Sequence, residues 1–249
     1  MSITAAGCAT IRPVAGARIT GRQLGFGIGL SAAFAALASV ATTLIARTVT
    51  PHWAHTDGLT VLIVAEVYLA VIAGLTVAVG GPAGVVRLLA LRRPTARQLG
   101  YALALFAGAV AAGLAFSLAL SPLTGGPAAT LAAIVRAGSD QTRLPTATPL
   151  VWALIVIRLV ALTGTAEELM FRGALYGWLR RHASVPAAIA ITTALFGLEH
   201  AYYPVLLPLV LAYGLAAGWV RHRTRTVATT IPIHVCVDLA LFLAAVALS

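Results

Sequence analysis

The chain has no lysine at all, and only 10% of its 249 residues are charged. A soluble globular domain carries about 25% charged residues, so this chain has too few to coat a water-facing surface. Acids are scarcer still, seven against 17 basic residues, all of them Arg, for a net charge of +10. Only two cysteines are present, Cys8 and Cys236, which excludes a disulfide framework and any Cys-based metal spacing. What fills the chain instead is apolar: 60% of its residues are hydrophobic and the mean hydropathy is +0.95. These values exclude a soluble enzyme and a disordered chain, and point to an all-α polytopic membrane protein.

A spanning helix needs roughly 20 apolar residues. Candidate spans run over about 24–46, 59–80 and 100–120, followed by a long Pro/Thr/Gly-rich connection over 121–149 whose middle, 128–137, reads as a short interfacial or re-entrant helix. A helical run over about 150–181 is longer than one crossing requires. Shorter apolar helices are expected over 185–201 and 205–220, and a final span over 227–248. The first span exceeds a signal-peptide core and is expected to be retained. Residues 1–23 form an expected cytoplasmic N-terminal segment, and 24–249 a single transmembrane domain with a motif-bearing core over about 150–240. Gly21, Gly25 and Gly29 have the spacing of a close helix contact, which an Ala/Gly-rich chain also produces by chance.

Twelve of the 17 Arg residues lie in the N-terminal segment, the 81–98 loop (Arg87, Arg92, Arg93, Arg97), Arg180–Arg181 and 221–225. Alternating crossings put all of these on one side, the cytoplasmic one, and short basic loops suit anionic lipid head groups, not nucleic acid. His52, His55, His182 and His222 read as solvated, Arg158 as snorkelling, and Trp53, Trp178, Trp219, Tyr202 and Tyr203 as an interfacial aromatic belt.

Five of the seven acids lie in or beside apolar helices: Glu66, Glu167, Glu168, Glu199 and Asp238. Each such placement costs about 2.5–3.5 kcal/mol, so an ionisable residue there is a functional hypothesis by default. Glu66 and Glu199, taken singly, equally suit interhelical hydrogen bonding. Glu168 and Arg172, four apart, share a helix face and can pair, whereas Glu167 points about 100° away. Phe196 lies one turn before His200, and His234 one turn before Asp238. Counting back to the basic ends at the helical rise puts Glu167, His200 and Asp238 at one depth, about 20 Å in, with His234 about 6 Å nearer the basic side.

A carboxylate beside an imidazole can act as general base toward water and return the proton to a leaving amine. A second imidazole with a polar neighbour can stabilise an oxyanion. Alternatively, two His and one or two carboxylates can hold Zn²⁺, with Glu167, His200, His234 and Asp238 as the ligands. Either arrangement hydrolyses an amide within the membrane. Nucleophilic catalysis is disfavoured: Ser and Thr have no evident triad partner, and Cys236 faces about 160° away from His234.

The order Glu-Glu-x-x-x-Arg (167–172), Phe-x-x-x-His (196–200), His-x-x-x-Asp (234–238) resembles the CAAX-processing and bacteriocin-processing (CPBP, or Abi) intramembrane proteases, over about residues 150–240. The resemblance implies seven to eight transmembrane helices around a conical intramembrane cavity. It also implies a membrane-embedded or lipidated peptide or protein substrate. Glu167 and His200 would activate water, His234 and residue 238 would stabilise the oxyanion, and Glu168, Arg172 and Phe196 would support the site. Both metallo and metal-free mechanisms are proposed for the family. Position 238 is Asp where the CAAX-cleaving branch resembles Asn. An ionised Asp would repel an oxyanion, so Asp238 must be protonated, paired with His234 or bound to metal. The Arg-only composition suits a bacterial plasma membrane. The rival reading is a non-catalytic transporter or immunity protein built on the same helices. A transporter would be expected to show paired halves, and no internal repeat is evident.

Overall fold

Long runs without polar side chains leave the backbone to satisfy its own N–H and C=O groups, which a helix does within one segment. The computed structural model describes residues 19–49, 57–140, 157, 162–201 and 203–247, and among them every regular element is helical. The helices are α1 (Gly21–Val49), α2 (Asp57–Ala78), α3 (Pro82–Leu88), α4 (Ala96–Ala119), α5 (Pro127–Asp140), α6 (residues 164–179), α7 (Val185–Glu199), α8 (Leu207–Thr224) and α9 (Ile231–Ala247). Among the described residues, Ala96–Ala119 and Pro204–Thr224 are long and apolar enough to cross a membrane, with shorter apolar helices at Val67–Ala78, Val185–Glu199 and Val227–Leu241.

Several expected bounds shift. The basic 81–98 segment is not a plain loop. Gly80 and Gly81, at φ of +84° and +88°, reverse the chain, Pro82 opens α3, and a capping box of Thr95 and Gln98 starts α4. The expected helix over 128–137 is present as α5, four residues longer. The long run over 150–181 is described from 162 onward, and its core is not a straight α-helix. A turn of α-helix (Gly164–Glu167) leads into a π-helix (Glu168–Leu175) and back to α (Tyr176–Leu179). Arg158, His52, His55, Trp53, Tyr202 and the side chain of Glu66 lie outside the described residues.

The basic segments gather at one end. Thr226, after α8, accepts from the Arg92 amide at 3.1 Å and donates to its carbonyl at 2.8 Å. The Val227 amide meets the Ala90 carbonyl at 3.1 Å, and Gln98 donates to the Thr224 carbonyl. Trp178, near Arg180, lies against Gly21, packs on the apolar cluster of α1, α2 and α6, and meets the His182 ring at 4.7 Å.

Between apolar helices in lipid, attraction comes from close packing, which small residues permit. A Cβ at Gly197, Gly214 or Gly218 would lie 2.8–2.9 Å from Leu211, Thr193 or Ile189, so α7 and α8 interlock antiparallel at every fourth residue. Gly113 lets α4 approach the backbone of α8 at Leu209. The α1–α2 hairpin closes through Gly27 and Gly74, where a Cβ on Gly74 would come 2.8 Å from the Ser31 amide nitrogen; Gly25 and Gly29 face open space. Of the Gly21/25/29 row only Gly21 comes near another helix, at Trp178 of α6, as chance spacing in an Ala/Gly-rich chain allows. Gly27, out of register with that row, makes the contact with α2.

Candidate active site

The site is built from α6, α7, α8 and α9, with one group from α2. Glu168 and Arg172 on the π-helix are fully buried. Their ion pair, Arg172 NH1 to Glu168 Oε1 at 3.0 Å, forms on the face that their spacing put together. A single carboxylate oxygen collects three donors: Arg172, the Tyr213 hydroxyl at 3.0 Å and His234 Nδ1 at 3.1 Å. Charge-assisted bonds of this kind offset the cost of burying the ions.

Among the described residues, Nε and NH2 of Arg172 have no hydrogen-bond partner. Aromatic faces surround the guanidinium instead, Phe196 at 4.5 Å, Tyr213 at 5.5 Å and Phe171 at 5.9 Å. A desolvated cation over an aromatic face is worth about 2 kcal/mol or more. Phe196 thus supports the site by holding a charge. Its ring also stacks on His200 at 4.6 Å and meets His234 edge-on at 6.0 Å.

Glu167 is buried in a different way. Tyr68 on α2 donates to Oε1 at 2.9 Å. Oε2 has no hydrogen-bond partner among the described residues and lies 3.5 Å from His234 Nε2. Asp238 Oδ1 lies 3.7 Å from the same Nε2, which is the pairing alternative for that aspartate. With Nδ1 donating to an ion-paired carboxylate, Nε2 is the edge of His234 turned toward both remaining acids. His200 closes α7, and its Nδ1 meets the Phe196 carbonyl at 2.9 Å. A carbonyl only accepts, so Nδ1 carries the proton and Nε2 is the basic nitrogen.

Straight helices put His234 one turn from Glu167, yet the two side chains are in contact. The π-helix shortens the gap. It makes i→i+5 bonds and packs more residues into a given length, so Glu167 lies nearer the basic end than a rise of 1.5 Å per residue implies. It also alters the carbonyl register, and Arg221 of α8 donates to the Arg172 carbonyl at 3.0 Å. Gly164 completes the approach: a Cβ there would lie 3.3 Å from Cβ and Cγ of His234, so only a small residue lets α6 press on α9 at the imidazole.

Glu167, Glu168, Arg172, Phe196, His234 and Asp238 therefore converge, and His200 joins them through Phe196. Glu199 is exposed at the last turn of α7. Cys236 is exposed, on the far side of α9 from buried His234. Tyr68 and Tyr213 were missed. The signal available was a tyrosine well inside an apolar run, where a hydroxyl needs a partner. Among the described residues no group of three or more His, Cys, Asp or Glu side chains is placed to hold a metal ion. A cavity of about 750 Å³ lies between the C-terminal end of α4, α5 and the turn before α8, lined by Ser117, Leu120, Thr130, Ala133, Tyr203 and Pro208 among others, and by none of these acids or histidines.

Residues 149–240, 92 of the 249, match the family model described as type II CAAX prenyl endopeptidase, Rce1-like. That segment is of the CAAX protease (CPBP) family. The matched segment contains all three motifs and Tyr213 of α8, but not Tyr68 of α2. By that description the matched family is one of endopeptidases, hydrolases that act on peptide bonds. No curated protein and no solved structure matches the chain.

Proposed function

We propose that this protein is a multi-pass endopeptidase of a bacterial plasma membrane that hydrolyses a peptide bond in a membrane-embedded or lipidated substrate. Its helices cross the bilayer seven or eight times with the basic ends in the cytoplasm. One observation carries the reading: the buried Glu167 carboxylate has Oε1 held by Tyr68, while Oε2, 3.5 Å from His234 Nε2, accepts no hydrogen bond among the described residues.

Glu167, with the basic Nε2 of His200, takes a proton from water, and the oxygen attacks the carbonyl carbon of the scissile amide. The carbonyl electrons move onto oxygen. His234 Nε2–H donates to that oxyanion while its Nδ1–H stays on Glu168, and Asp238 orients the same nitrogen. The C–N bond then breaks, the amine leaves with the proton from Glu167, and the other product is a carboxylic acid. Glu168 and Arg172 take no part in proton transfer; they fix His234. The proposed route runs through protein side chains alone.

The test is cleavage of a membrane-embedded peptide by the purified protein in lipid vesicles, with and without a strong chelator. Turnover in both is the expected result. Binding without cleavage by the wild-type protein would overturn the protease reading in favour of a binding or immunity role, and turnover lost to the chelator would overturn the metal-free route.

A further inference from the structure

The family match begins at residue 149, and yet one hydrogen bond on the proposed base comes from outside it. Resting on the protease reading above, the geometry points to Tyr68 as a positioning residue for Glu167, so that the site is completed by the N-terminal hairpin and not by the CAAX-protease segment alone. Three observations converge. The Tyr68 hydroxyl donates to Glu167 Oε1 at 2.9 Å across 99 positions of sequence. Tyr68, Val71, Ile72 and Leu75 follow i, i+3, i+4, i+7, one face of α2, and Leu75, 1% exposed, packs with Leu169 on α6. That face therefore looks at α6, on which Glu167 stands. The glycine contact of Gly74 with Ser31 and Gly27 then fixes α2 against α1 less than two turns from Tyr68.

The consequence is chemical. A carboxylate has two oxygens, and a donor on one of them sets the rotation of the other. With Oε1 tied to Tyr68, Oε2 is held toward His234 Nε2 and the reacting water. Without the hydroxyl the carboxylate can turn Oε1 onto His234 and lose the orientation that proton transfer needs. Tyr68 touches neither water nor substrate in this scheme; it acts through Glu167.

Tyr68→Phe keeps the ring and removes only the hydroxyl. In vesicles, kcat is expected to fall roughly 10–100-fold, the size of one hydrogen bond to a charged group, with KM within about twofold of wild type. The detergent melting temperature should stay within a few degrees. Unchanged kcat, or a rise in KM without a fall in kcat, overturns the assignment. If the Phe variant does not purify as a folded protein, Tyr68→Met, which refills the volume without a hydroxyl, is measured in the same way. Failure of both to fold also overturns it, because a hydroxyl acting only through Glu167 leaves packing intact. Wild-type protein and Glu167→Gln run alongside: an inactive wild type refutes the protease reading itself, whereas an active wild type with an equally active Phe variant refutes only the role of Tyr68.

Discussion

The α1–α2 hairpin and the α6–α9 group share the same surroundings and are held together by opposite means. In the hairpin, Tyr68 apart, the hydroxyls of Ser31 and Thr76 are satisfied within their own helix. Ser31 bonds the Gly27 carbonyl at 2.7 Å and Thr76 the Ile72 carbonyl at 2.6 Å, and the helices meet through glycine and alanine. In the α6–α9 group, polar side chains bond across helices, three donors converging on one oxygen of Glu168. Packing of small residues is tolerant of change, since it is a sum of weak contacts. A buried ionic network is not, because removing one member strands the charge of another. The comparison teaches that the second region is under constraints that packing alone does not impose, as expected of a place where charges do chemistry.

The sharpest way to break that contrast is Glu167→Gln. An amide cannot take the proton from water, so turnover should fall at least about 10³-fold while expression and melting temperature hold; near-wild-type cleavage in the vesicle assay would end the mechanism. Next come Glu168→Ala and Arg172→Ala. Each leaves an unpaired buried charge costing about 3–5 kcal/mol, read as a large fall in melting temperature or loss of folded protein, and equal stability with Glu167→Gln would show that the pair does not hold the region. Gly164→Ala sharpens the link between packing and site. Its Cβ meets His234 and the Val235 amide at 3.3 Å, so α9 must give by a few tenths of an ångström, and kcat should drop several-fold with little loss of stability. The same exchange at Gly25, which faces open space in the hairpin, should change neither quantity. Among the site residues the smallest effect is expected from Asp238→Asn. It keeps a polar group beside His234 Nε2, so substantial activity should remain and a chelator should not alter it. A dead variant that also loses bound zinc would instead make residue 238 a ligand.

Much of this was legible in the chain. Scarcity of charge and apolar runs of about 20 residues dictate helices in lipid, since only a helix satisfies the backbone within one such segment, and barrel strands are about half that length. The spacing of Glu168 and Arg172 dictates their shared face, and the three motifs with their order are a property of the sequence alone. Local periodicity could not reveal the π-helix. Its eight residues, Glu168–Leu175, have no composition that distinguishes them from α-helix, and the register change follows from how α6 fits against α8 and α9. That register decides that His234 meets Glu167 directly. Nor does the chain announce which glycine closes the α1–α2 contact, because Gly25, Gly27 and Gly29 are locally alike and only the neighbouring helix selects Gly27. Tyr68 is the clearest case. Residue types and spacings within a helix are short-range facts, but a hydrogen bond between positions 68 and 167 exists only once α2 has packed on α6, and that is decided by the fit of whole surfaces.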